Sequence, residues 1–310
     1  MSVEAGTAGA VVSRPEGLRE RITGLFMRSE ALRGYGLISP TLIVMVVTMG
    51  MPIGLCIAYS FWTQDYLTID RTFTLANYQE AVTHPLYRTL LLRSLMISGV
   101  TTVITVLLAY PMAYFVAFHA HGNKMTWIVV LTLPFLTSYL LRVFSWKIIL
   151  GYEGVFNAGL ISLGVIQEPL AFLLYNPTSV IITLTYAWAP FAILPIFVSL
   201  EKIDRSLLEA ATDLGDGPFT RFLRITLPLS LPGVIAATLM IFIPTVGDFI
   251  TPELVGGRDG KMIAKVIQVQ FGRANNYPLG ASLSLITMIT ITFVSVIYIV
   301  MTRWVTKRIA

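Results

Sequence analysis

The 310-residue sequence predicts an all-α membrane protein with about six transmembrane helices, and three observations support this fold class. Charged residues form 13% of the chain, about half of the roughly 25% typical of globular proteins. Hydrophobic residues form 55% of the chain and the mean hydropathy is +0.75. Finally, long stretches carry no charge, or only Lys124, and each can cross a hydrocarbon core about 30 Å thick: 37–64, 95–141, 169–200, 229–247 and 281–302.

Six spans are predicted from these stretches, at about 37–62, 95–118, 126–145, 178–200, 229–249 and 282–303. Several contain proline, which membrane helices tolerate when neighbouring helices or water satisfy the freed carbonyls. The prolines are Pro52, Pro111, Pro134, Pro190, Pro195 and Pro244. So many kinks indicate a bundle that lines a path or moves. They do not favour an inert anchor.

The distribution of lysine and arginine predicts that both termini are cytoplasmic. With the N-terminus inside, the cytoplasmic segments hold 13 of the 22 basic residues and the outer segments hold 9. We expect a partly mobile or amphipathic N-terminal segment at 1–36, a membrane domain at 37–303 and a cytoplasmic tail at 304–310. Residues 151–175 contain short apolar runs that glycine and proline interrupt. These runs predict short helices that rest in the outer interface.

Several function classes are excluded by the pattern of residues. The basic residues are scattered over many connections, which argues against nucleic-acid binding. A single cysteine, Cys56, cannot form an intrachain disulfide, and no third ligand accompanies His119 and His121, so no metal site is predicted. The glycine-rich stretch 256–262 is one residue too short for a phosphate-binding loop and ends in methionine. We therefore predict that this chain is not an enzyme and binds no cofactor.

The connection between spans four and five, residues 201–228, has the pattern of a helix–turn–helix. Ser206 and Glu209 have the spacing of a capping box at the start of the first helix. Gly215 stands where a left-handed residue ends that helix, and Pro218 suits the first turn of a second one, which we expect Pro228 to end. Nearly all apolar residues of this connection have no protein core of their own to enter, so the loop predicts a partner protein.

The same loop carries a family resemblance. Glu209-Ala210-Ala211, then three residues, Gly215, nine residues, Ile225, one residue and Leu227-Pro228 resemble the EAA loop of ATP-binding-cassette (ABC) importer permeases. The six predicted spans are similar to the type I importer permease fold over roughly 37–303. The segments 141–146 (LRVFSW) and 247–257 (GDFITPELVGG) resemble permeases of the spermidine/putrescine type.

The resemblance implies a role for the loop and a set of partners. It implies that the EAA helix docks on an ATPase subunit through Glu209, Ala210, Ala211, Asp213, Leu214 and Gly215. It further implies two ATPase subunits that bind ATP and Mg, a second permease subunit, an extracytoplasmic solute-binding protein and a location in the bacterial inner membrane. The function implied is half of a translocation path, worked by alternating access, for a polyamine or another small organic cation.

Ionisable and aromatic residues near the outer membrane surface are the candidate path residues. We expect Asp248 and Glu253 to form an acidic mouth beside Thr251, with cation–π surfaces from Tyr139, Trp146, Tyr186 and Trp188. Alternatives remain open here. Arg142 can extend to the interface or line the path, and Asp248 can cap span five or pair with Arg142. Tyrosine and tryptophan are also typical of interfacial belts.

A stand-alone secondary transporter of a small solute is the main alternative function. Such carriers typically show internal repeats and polar residues at the membrane midplane. The sequence shows no convincing repeat, and the helix–turn–helix of 201–228 has no role in that class of protein.

Overall fold

A computed structural model describes residues 30–66, 68–120, 122–173 and 175–309. The chain separates into two units, Met1–Leu55 and Cys56–Ala310. Five helices of the described residues are long and apolar enough to span a membrane, and the number is six when the bent pair Lys124–Leu136 and Tyr139–Ile149 is counted as one span. The all-α fold with about six spans is therefore confirmed. The predicted amphipathic segment before residue 30 lies outside the described residues.

The helices follow one another along the chain with two short strands between them. They are α1 (Glu30–Ser60), α2 (Ala76–Thr83), α3 (Pro85–Phe118), α4 (Lys124–Thr132), α5 (Tyr139–Ile149), α6 (Val155–Ser162), α7 (Pro177–Glu201), α8 (Arg205–Asp213), α9 (Pro218–Arg221), α10 (Leu227–Val246), α11 (Ile250–Val255), α12 (Ile263–Gly272) and α13 (Tyr277–Ile309). The strands β1 (Thr63–Asp65) and β2 (Thr68–Asp70) form an antiparallel hairpin in which Gln64 pairs with Ile69.

The third span is not the single helix that the sequence predicts over 126–145. It breaks after α4 into a 3₁₀ turn, Leu133–Leu136, and resumes as α5 with an axis change of 85°. Pro134 lies within this turn. Proline removes a backbone donor and clashes with the preceding turn, which accounts for the break. Because of the bend, the side chains of α5 point in other directions than they would on a straight helix over 126–145.

Two other boundaries differ from the sequence prediction. Helix α3 begins ten residues before the expected position, because Pro85 occupies its first turn and His84 caps it by accepting a hydrogen bond from the Leu86 N–H at 3.3 Å. Helix α13 continues to Ile309 through most of the expected tail. The predicted short helices of 151–175 are present as α6 and the 3₁₀ turn Ala171–Leu173.

Helices α3, α7 and α10 form the main core of the second unit. Small residues allow close approach, and a cluster of fully or nearly fully buried side chains runs between the three helices: Ala109, Ala113, Val116, Ala192, Ile196, Leu200, Ala237 and Ile241. At Gly233 the α10 backbone approaches α7 so closely that an added Cβ would lie 2.5 Å from the Pro195 carbonyl oxygen. This three-helix core holds the loop 201–228 at one end and Asp248 at the other.

A second cluster anchors α13 at the end of the bundle where the hairpin lies. Tyr87 and Leu90 of α3 pack there with Ile263 of α12 and Leu279 and Leu283 of α13. Hydrogen bonds then join this cluster to the end of α1: the Ser60 carbonyl accepts from the amide of Asn77 and the hydroxyl of Ser282, at 3.3 and 3.1 Å. The long helices of the second unit are thereby linked at this end.

Candidate functional sites

The coupling loop, as we call residues 201–228, begins with a capped helix. Asp204 is the N-cap of α8, and its side chain accepts a hydrogen bond from the Ser206 N–H at 3.0 Å. The predicted capping box of Ser206 and Glu209 is therefore wrong, because Ser206 already lies inside the helix and Glu209 lies beyond its third position. Asp204 supplies the same type of cap two residues earlier.

The far end of α8 has the geometry predicted from the sequence. Gly215 has φ of +89°, in the left-handed region that side-chain-bearing residues avoid. Its N–H donates to the Thr212 carbonyl at 2.9 Å, and the Asp216 N–H donates to the Ala211 carbonyl at 3.0 Å. The turn thus satisfies carbonyls that the helix end would otherwise leave free. It also fixes the direction in which the chain leaves α8.

The second helix of the coupling loop does not end at Pro228. Helix α9 begins at Pro218 as predicted, passes through a π-helical turn, Phe222–Thr226, and continues directly into α10. Pro228 falls in the first turn of α10, immediately after the π turn, where the missing N–H is tolerated. The helix is consequently continuous over Pro218–Val246, which ties the coupling loop mechanically to span five.

The apolar residues of the coupling loop fall into two groups. Leu208 packs against the α3–α7–α10 core, Ala211 is buried, and Phe222 meets Tyr110 edge to face at 5.7 Å. The prediction that nearly all of them lack a core is therefore wrong for these three. A second group remains uncovered: Leu207, Phe219 and Leu214, the last of which is 87% exposed.

The residues that the resemblance assigns to ATPase docking are mostly exposed. Glu209, Ala210, Asp213, Leu214 and Gly215 are exposed, whereas Ala211 faces the chain's own core. Within the described part of the chain, Glu209 forms no ion pair. Other polar groups of the loop are used internally. Asp216 pairs with Arg224 at 3.3 Å, and Arg221 donates to the Thr212 hydroxyl at 2.6 Å, so the loop is braced from within.

A testable consequence concerns the cap. The hydrogen bond from the Ser206 N–H lowers the pKa of Asp204 below its ordinary value. Its capping contribution is therefore present above the ordinary carboxyl pKa and is lost as pH falls through the lowered one. If the ATPase docking that the resemblance implies holds, we expect Asp204→Ala to loosen α8 and lower binding of an ATPase subunit severalfold, whereas Asp204→Asn, which caps equally well, should retain it. Pull-down of the ATPase subunit by the purified chain measures the difference; equal loss in both variants would contradict a capping role.

At the opposite end of span five, Asp248 lies in a gap between two helices. Helix α10 ends at Val246 and α11 begins at Ile250, so the predicted irregular backbone is confirmed. One Asp248 oxygen accepts from the Ile250 N–H at 2.9 Å, and the other accepts from the Tyr139 hydroxyl at 2.5 Å. Asp248 is 8% exposed. It therefore caps α11, the helix after span five, and forms no ion pair with Arg142 within 4.0 Å.

Arg142 is buried and does not extend to the interface. It is 7% exposed, and with Val143 it lies on the buried side of α5, whereas the preceding Leu140 and Leu141 are exposed. Its guanidinium lies 5.2 Å from the centre of the Phe135 ring and 5.8 Å from that of Tyr139. One nitrogen donates to the Ala187 carbonyl at 3.4 Å, and Nε has no hydrogen-bond partner. The aromatic faces here are therefore already occupied by a cation.

Five of the eight predicted path residues meet in one cluster, and three do not. Tyr139 is the centre, because its hydroxyl contacts both Asp248 and Thr251 and its ring lies near Arg142 and Trp188, with a centroid distance of 6.5 Å to Trp188. We call this set of five residues the Tyr139 cluster. Two of the remaining residues, Trp146 and Tyr186, form a separate edge-to-face pair at 5.4 Å.

Glu253 is the third residue outside the cluster. It forms an ion pair with Lys265 at 3.2 Å. The predicted acidic mouth therefore does not hold for Glu253, whose charge is balanced by a lysine on α12. Within the Tyr139 cluster, Arg142 opposes the charge of Asp248. The arrangement consequently offers one buried carboxylate among aromatic rings and no excess of negative charge.

Three residues that the sequence did not predict complete these contacts. Phe135 supports the Arg142 guanidinium and meets Phe191 edge to face at 4.8 Å, and Phe191 lies 5.3 Å from Trp188. The third is Lys265, the partner of Glu253. The sequence does give a signal near Phe135, because Pro134 immediately before it predicts a local break in the helix. Nothing in the sequence pairs Lys265 with Glu253, twelve residues before it in a different helix.

Comparison with known proteins defines the family. Residues 40–310 match the family described as binding-protein-dependent transport system inner membrane component. The chain is 36% identical over 266 residues to the spermidine/putrescine transport system permease protein PotB of Escherichia coli, covering 86% of this chain and 96% of that protein. It is 35% identical over 246 residues to the E. coli inner membrane ABC transporter permease protein YdcU, covering 74% and 77%.

Solved structures agree with this relationship at the level of the fold. A chain of a bacterial ABC transporter that imports the acidic polysaccharide alginate superposes with a TM-score of 0.69 at 18% identity, covering 93% of this chain and all of that one. A complex of an alginate transporter with its oligosaccharide-bound periplasmic protein gives a TM-score of 0.71.

This chain belongs to the family of binding-protein-dependent transport system inner membrane components. It is a multi-pass transmembrane permease subunit of an ABC importer, with the fold of type I importer permeases. The alternative of a stand-alone secondary transporter is excluded by this membership.

Proposed function

We propose that this permease works with a second permease subunit, two ATPase subunits and an extracytoplasmic solute-binding protein to import a polyamine. The observation that supports the ATPase contact is the coupling loop, which presents a capped, internally braced helix with Glu209, Ala210 and Leu214 exposed. Leu207, Leu214 and Phe219 all stay exposed on this loop outside the membrane spans, and several uncovered apolar side chains in one loop support a surface that a partner protein covers. ATP and Mg belong to the ATPase subunits in this scheme.

The proposed orientation places the coupling loop and both termini in the cytoplasm. The excess of basic residues on that side, 13 against 9, supports this assignment. The Tyr139 cluster then faces the outer side, because the two ends of span five lie on opposite sides of the membrane. A solute released by the binding protein reaches the cluster first.

The continuous helix from the coupling loop through span five provides the mechanical link. Pro218–Val246 has 29 residues, roughly 44 Å at 1.5 Å per residue. When ATP binding draws the two ATPase subunits together, each coupling loop moves with its ATPase. Because α9, the π turn and α10 are one helix, that movement also displaces the Asp248 end. The permease thereby alternates between outward-facing and inward-facing states.

The assignment of a polyamine follows from the relatives and agrees with the Tyr139 cluster. PotB is a spermidine/putrescine permease, and most of this chain aligns with it. Asp248 offers a carboxylate, and the Trp188 ring offers a face of the kind that attracts ammonium groups, whereas the Tyr139 ring already lies beside the Arg142 guanidinium. The buried guanidinium of Arg142 opposes tight binding of a cation, which suits a site that the solute must leave during each transport cycle.

Uptake of radiolabelled spermidine and putrescine into proteoliposomes tests the role of Asp248. Asp248→Asn removes the charge but keeps an oxygen that caps α11, so folding should be retained. We expect uptake to fall about tenfold, as expected when a contact of roughly 1.5 kcal/mol to a charged group is lost. Glu253→Gln and Asp259→Asn are matched controls, since Glu253 is already paired and the Asp259 side chain is 83% exposed. If Asp248→Asn takes up both solutes as well as the wild type does, Asp248 is not part of the path.

The proposed composition is tested separately by purification. The tagged permease, co-expressed with candidate partner subunits and extracted in mild detergent, should copurify with one second six-span permease and two ATPase subunits per copy of this chain. Recovery of the permease alone, with transport activity retained, would rule out the proposed assembly.

A further inference from the structure

Four aromatic side chains and one arginine form a closed circle of contacts. The Phe135 ring meets Phe191 edge to face at 4.8 Å, and Phe191 lies 5.3 Å from Trp188. Trp188 in turn lies 6.5 Å from Tyr139. The Arg142 guanidinium completes the circle, because it lies over both the Phe135 ring and the Tyr139 ring. We call the four rings the aromatic box.

The aromatic box lies about halfway along span four. Phe191 is the fifteenth of the 25 residues of α7, so it is about 21 Å from the start of that helix and about 15 Å from its end. A groove of about 620 Å³ between α7 and α10 begins at Phe191 and follows α7 to Lys202. On the other side of the box, the Tyr139 hydroxyl bonds Asp248. The box therefore lies between the buried carboxylate and a groove that leads toward the coupling loop.

Arg142 is held beside these rings without a charged partner. Among the described residues it forms no ion pair within 4.0 Å, and it donates one long hydrogen bond, to the Ala187 carbonyl at 3.4 Å. Its Nε has no hydrogen-bond partner. A buried arginine with a structural role normally uses several of its five donors, often on a carboxylate. Here ring faces hold the guanidinium, so it loses little when it leaves the box, and its Nε gains hydration when it does.

The faces of Phe135 and Tyr139 can hold one cation at a time. A second positive charge beside the guanidinium is repelled, and the repulsion is strong at the low dielectric constant of a membrane interior. An ammonium group that moves from Asp248 into the box must therefore take the place of Arg142. A neutral solute gains no cation–π contact by this exchange, so the arrangement favours an alkylammonium group.

We propose that the aromatic box binds an alkylammonium group of the solute halfway across the membrane, and that the Arg142 guanidinium occupies the box until that group displaces it. The proposal rests on the polyamine import proposed above. It adds a second binding step after Asp248, formed in part by Phe135 and Phe191. The return of the guanidinium to the box then expels the ammonium group toward the groove between α7 and α10.

Arg142→Gln tests the exchange, because glutamine has no charge but keeps an N–H donor for the Ala187 carbonyl. The dissociation constant of radiolabelled spermidine is measured on the purified transporter without the binding protein. We expect it to fall about five- to tenfold, since no resident cation competes for the rings. The maximal uptake rate in proteoliposomes, at saturating loaded binding protein, should fall severalfold, because nothing expels the ammonium group.

Two further variants serve as controls for charge and for position. Arg142→Lys keeps a positive charge beside the rings, so its spermidine affinity should stay within about twofold of the wild type. Arg93→Gln removes the charge of an arginine outside the box, whose side chain is 26% exposed and lies 4.0 Å from Asp259. We expect this variant to bind and transport spermidine as the wild type does.

A double variant tests whether the rings are the binding site. With the guanidinium absent, the gain in affinity depends on the ring faces that it occupied. We therefore expect Phe135→Leu, added to Arg142→Gln, to cancel most of the gain. Phe172→Leu in the same background is the matched control, because Phe172 is 57% exposed and belongs to the outer 3₁₀ turn Ala171–Leu173.

The outcomes separate this inference from the proposed function. Unchanged or weaker spermidine binding by Arg142→Gln overturns the inference, and so does a gain in affinity that survives Phe135→Leu. Low yield and low thermal stability of both neutral variants, Arg142→Gln and Arg142→Met, also overturn it, because Arg142 is then a structural residue. Absence of spermidine binding and uptake in the wild-type transporter contradicts the proposed function instead.

Discussion

Gly215→Val is expected to abolish ATP-driven uptake while leaving the membrane-embedded part of the permease folded. Gly215 adopts φ of +89°, and no atom lies within 4 Å of the position that its Cβ would occupy. A side chain there causes no collision, so the whole effect is backbone strain, about 1–2 kcal/mol for a left-handed residue and more for a β-branched one. The turn relieves this strain by reorienting α8, which moves Glu209, Ala210 and Leu214 away from the ATPase.

The measurement is solute-stimulated ATP hydrolysis by the reconstituted complex, with uptake recorded in parallel. Gly215→Asn is the matched control, since asparagine adopts left-handed conformations more readily than other side-chain-bearing residues, and it should retain a substantial part of both activities. Permease yield and thermal stability should match the wild type in both variants. If Gly215→Val hydrolyses ATP and transports normally, the direction of α8 does not determine coupling, and the proposed docking surface is wrong.

The coupling loop shows which local features the sequence determines. The turn at Gly215 and the start of α9 at Pro218 follow from backbone preferences of single residues, and both are confirmed. The cap was misassigned because Asp204 and Ser206 are both good N-cap residues, and the hydrogen bond to the Ser206 N–H is visible only in three dimensions. The continuation past Pro228 depends on a π turn, for which the residue types alone give no signal.

The Tyr139 cluster shows where sequence analysis stops. Hydropathy alone identifies the third span but not its 85° bend, and without the bend Arg142 falls near the membrane surface. Once the bend is present, Arg142 is buried and Tyr139 reaches Asp248 and Thr251, more than a hundred residues later in the chain. Five of the eight residues predicted for the path lie together in the structure. Their partners depend on the packing of α5 against α7 and α11, which no local pattern encodes.

The balance of charge changes the interpretation of the path as well. Two carboxylates in one segment suggest an acidic mouth, but Glu253 is neutralised by Lys265 and Asp248 faces Arg142 across the Tyr139 ring. A cation that enters such a cluster gains one carboxylate and aromatic faces and meets one buried positive charge. In the proposed function such a cluster is a weak site for a cation, and we expect selectivity for the solute to fall mainly to the solute-binding protein.

Gly233→Val is expected to prevent assembly of the permease core. A Cβ on residue 233 would lie 2.5 Å from both the Pro195 carbonyl oxygen and the Ser199 Cβ, and the backbone of α7 cannot yield without moving Pro195. Overpacking a core commonly costs about 1–3 kcal/mol, and a collision with the backbone of a closely packed neighbouring helix should exceed that range. Helices α7 and α10 also hold the coupling loop and the Tyr139 cluster at their two ends, so both sites should be lost together.

Membrane yield and thermal unfolding of the detergent-solubilised complex measure this effect. Gly99→Val is the matched control, because residue 99 is also a glycine in a membrane span and no atom lies within 4 Å of its potential Cβ. We expect near-normal yield for Gly99→Val and a severalfold loss for Gly233→Val, with Gly233→Ala between them. Equal stability of the two valine variants would show that α7 and α10 can separate freely. A bundle that loose could not transmit movement from the coupling loop to Asp248 along span five.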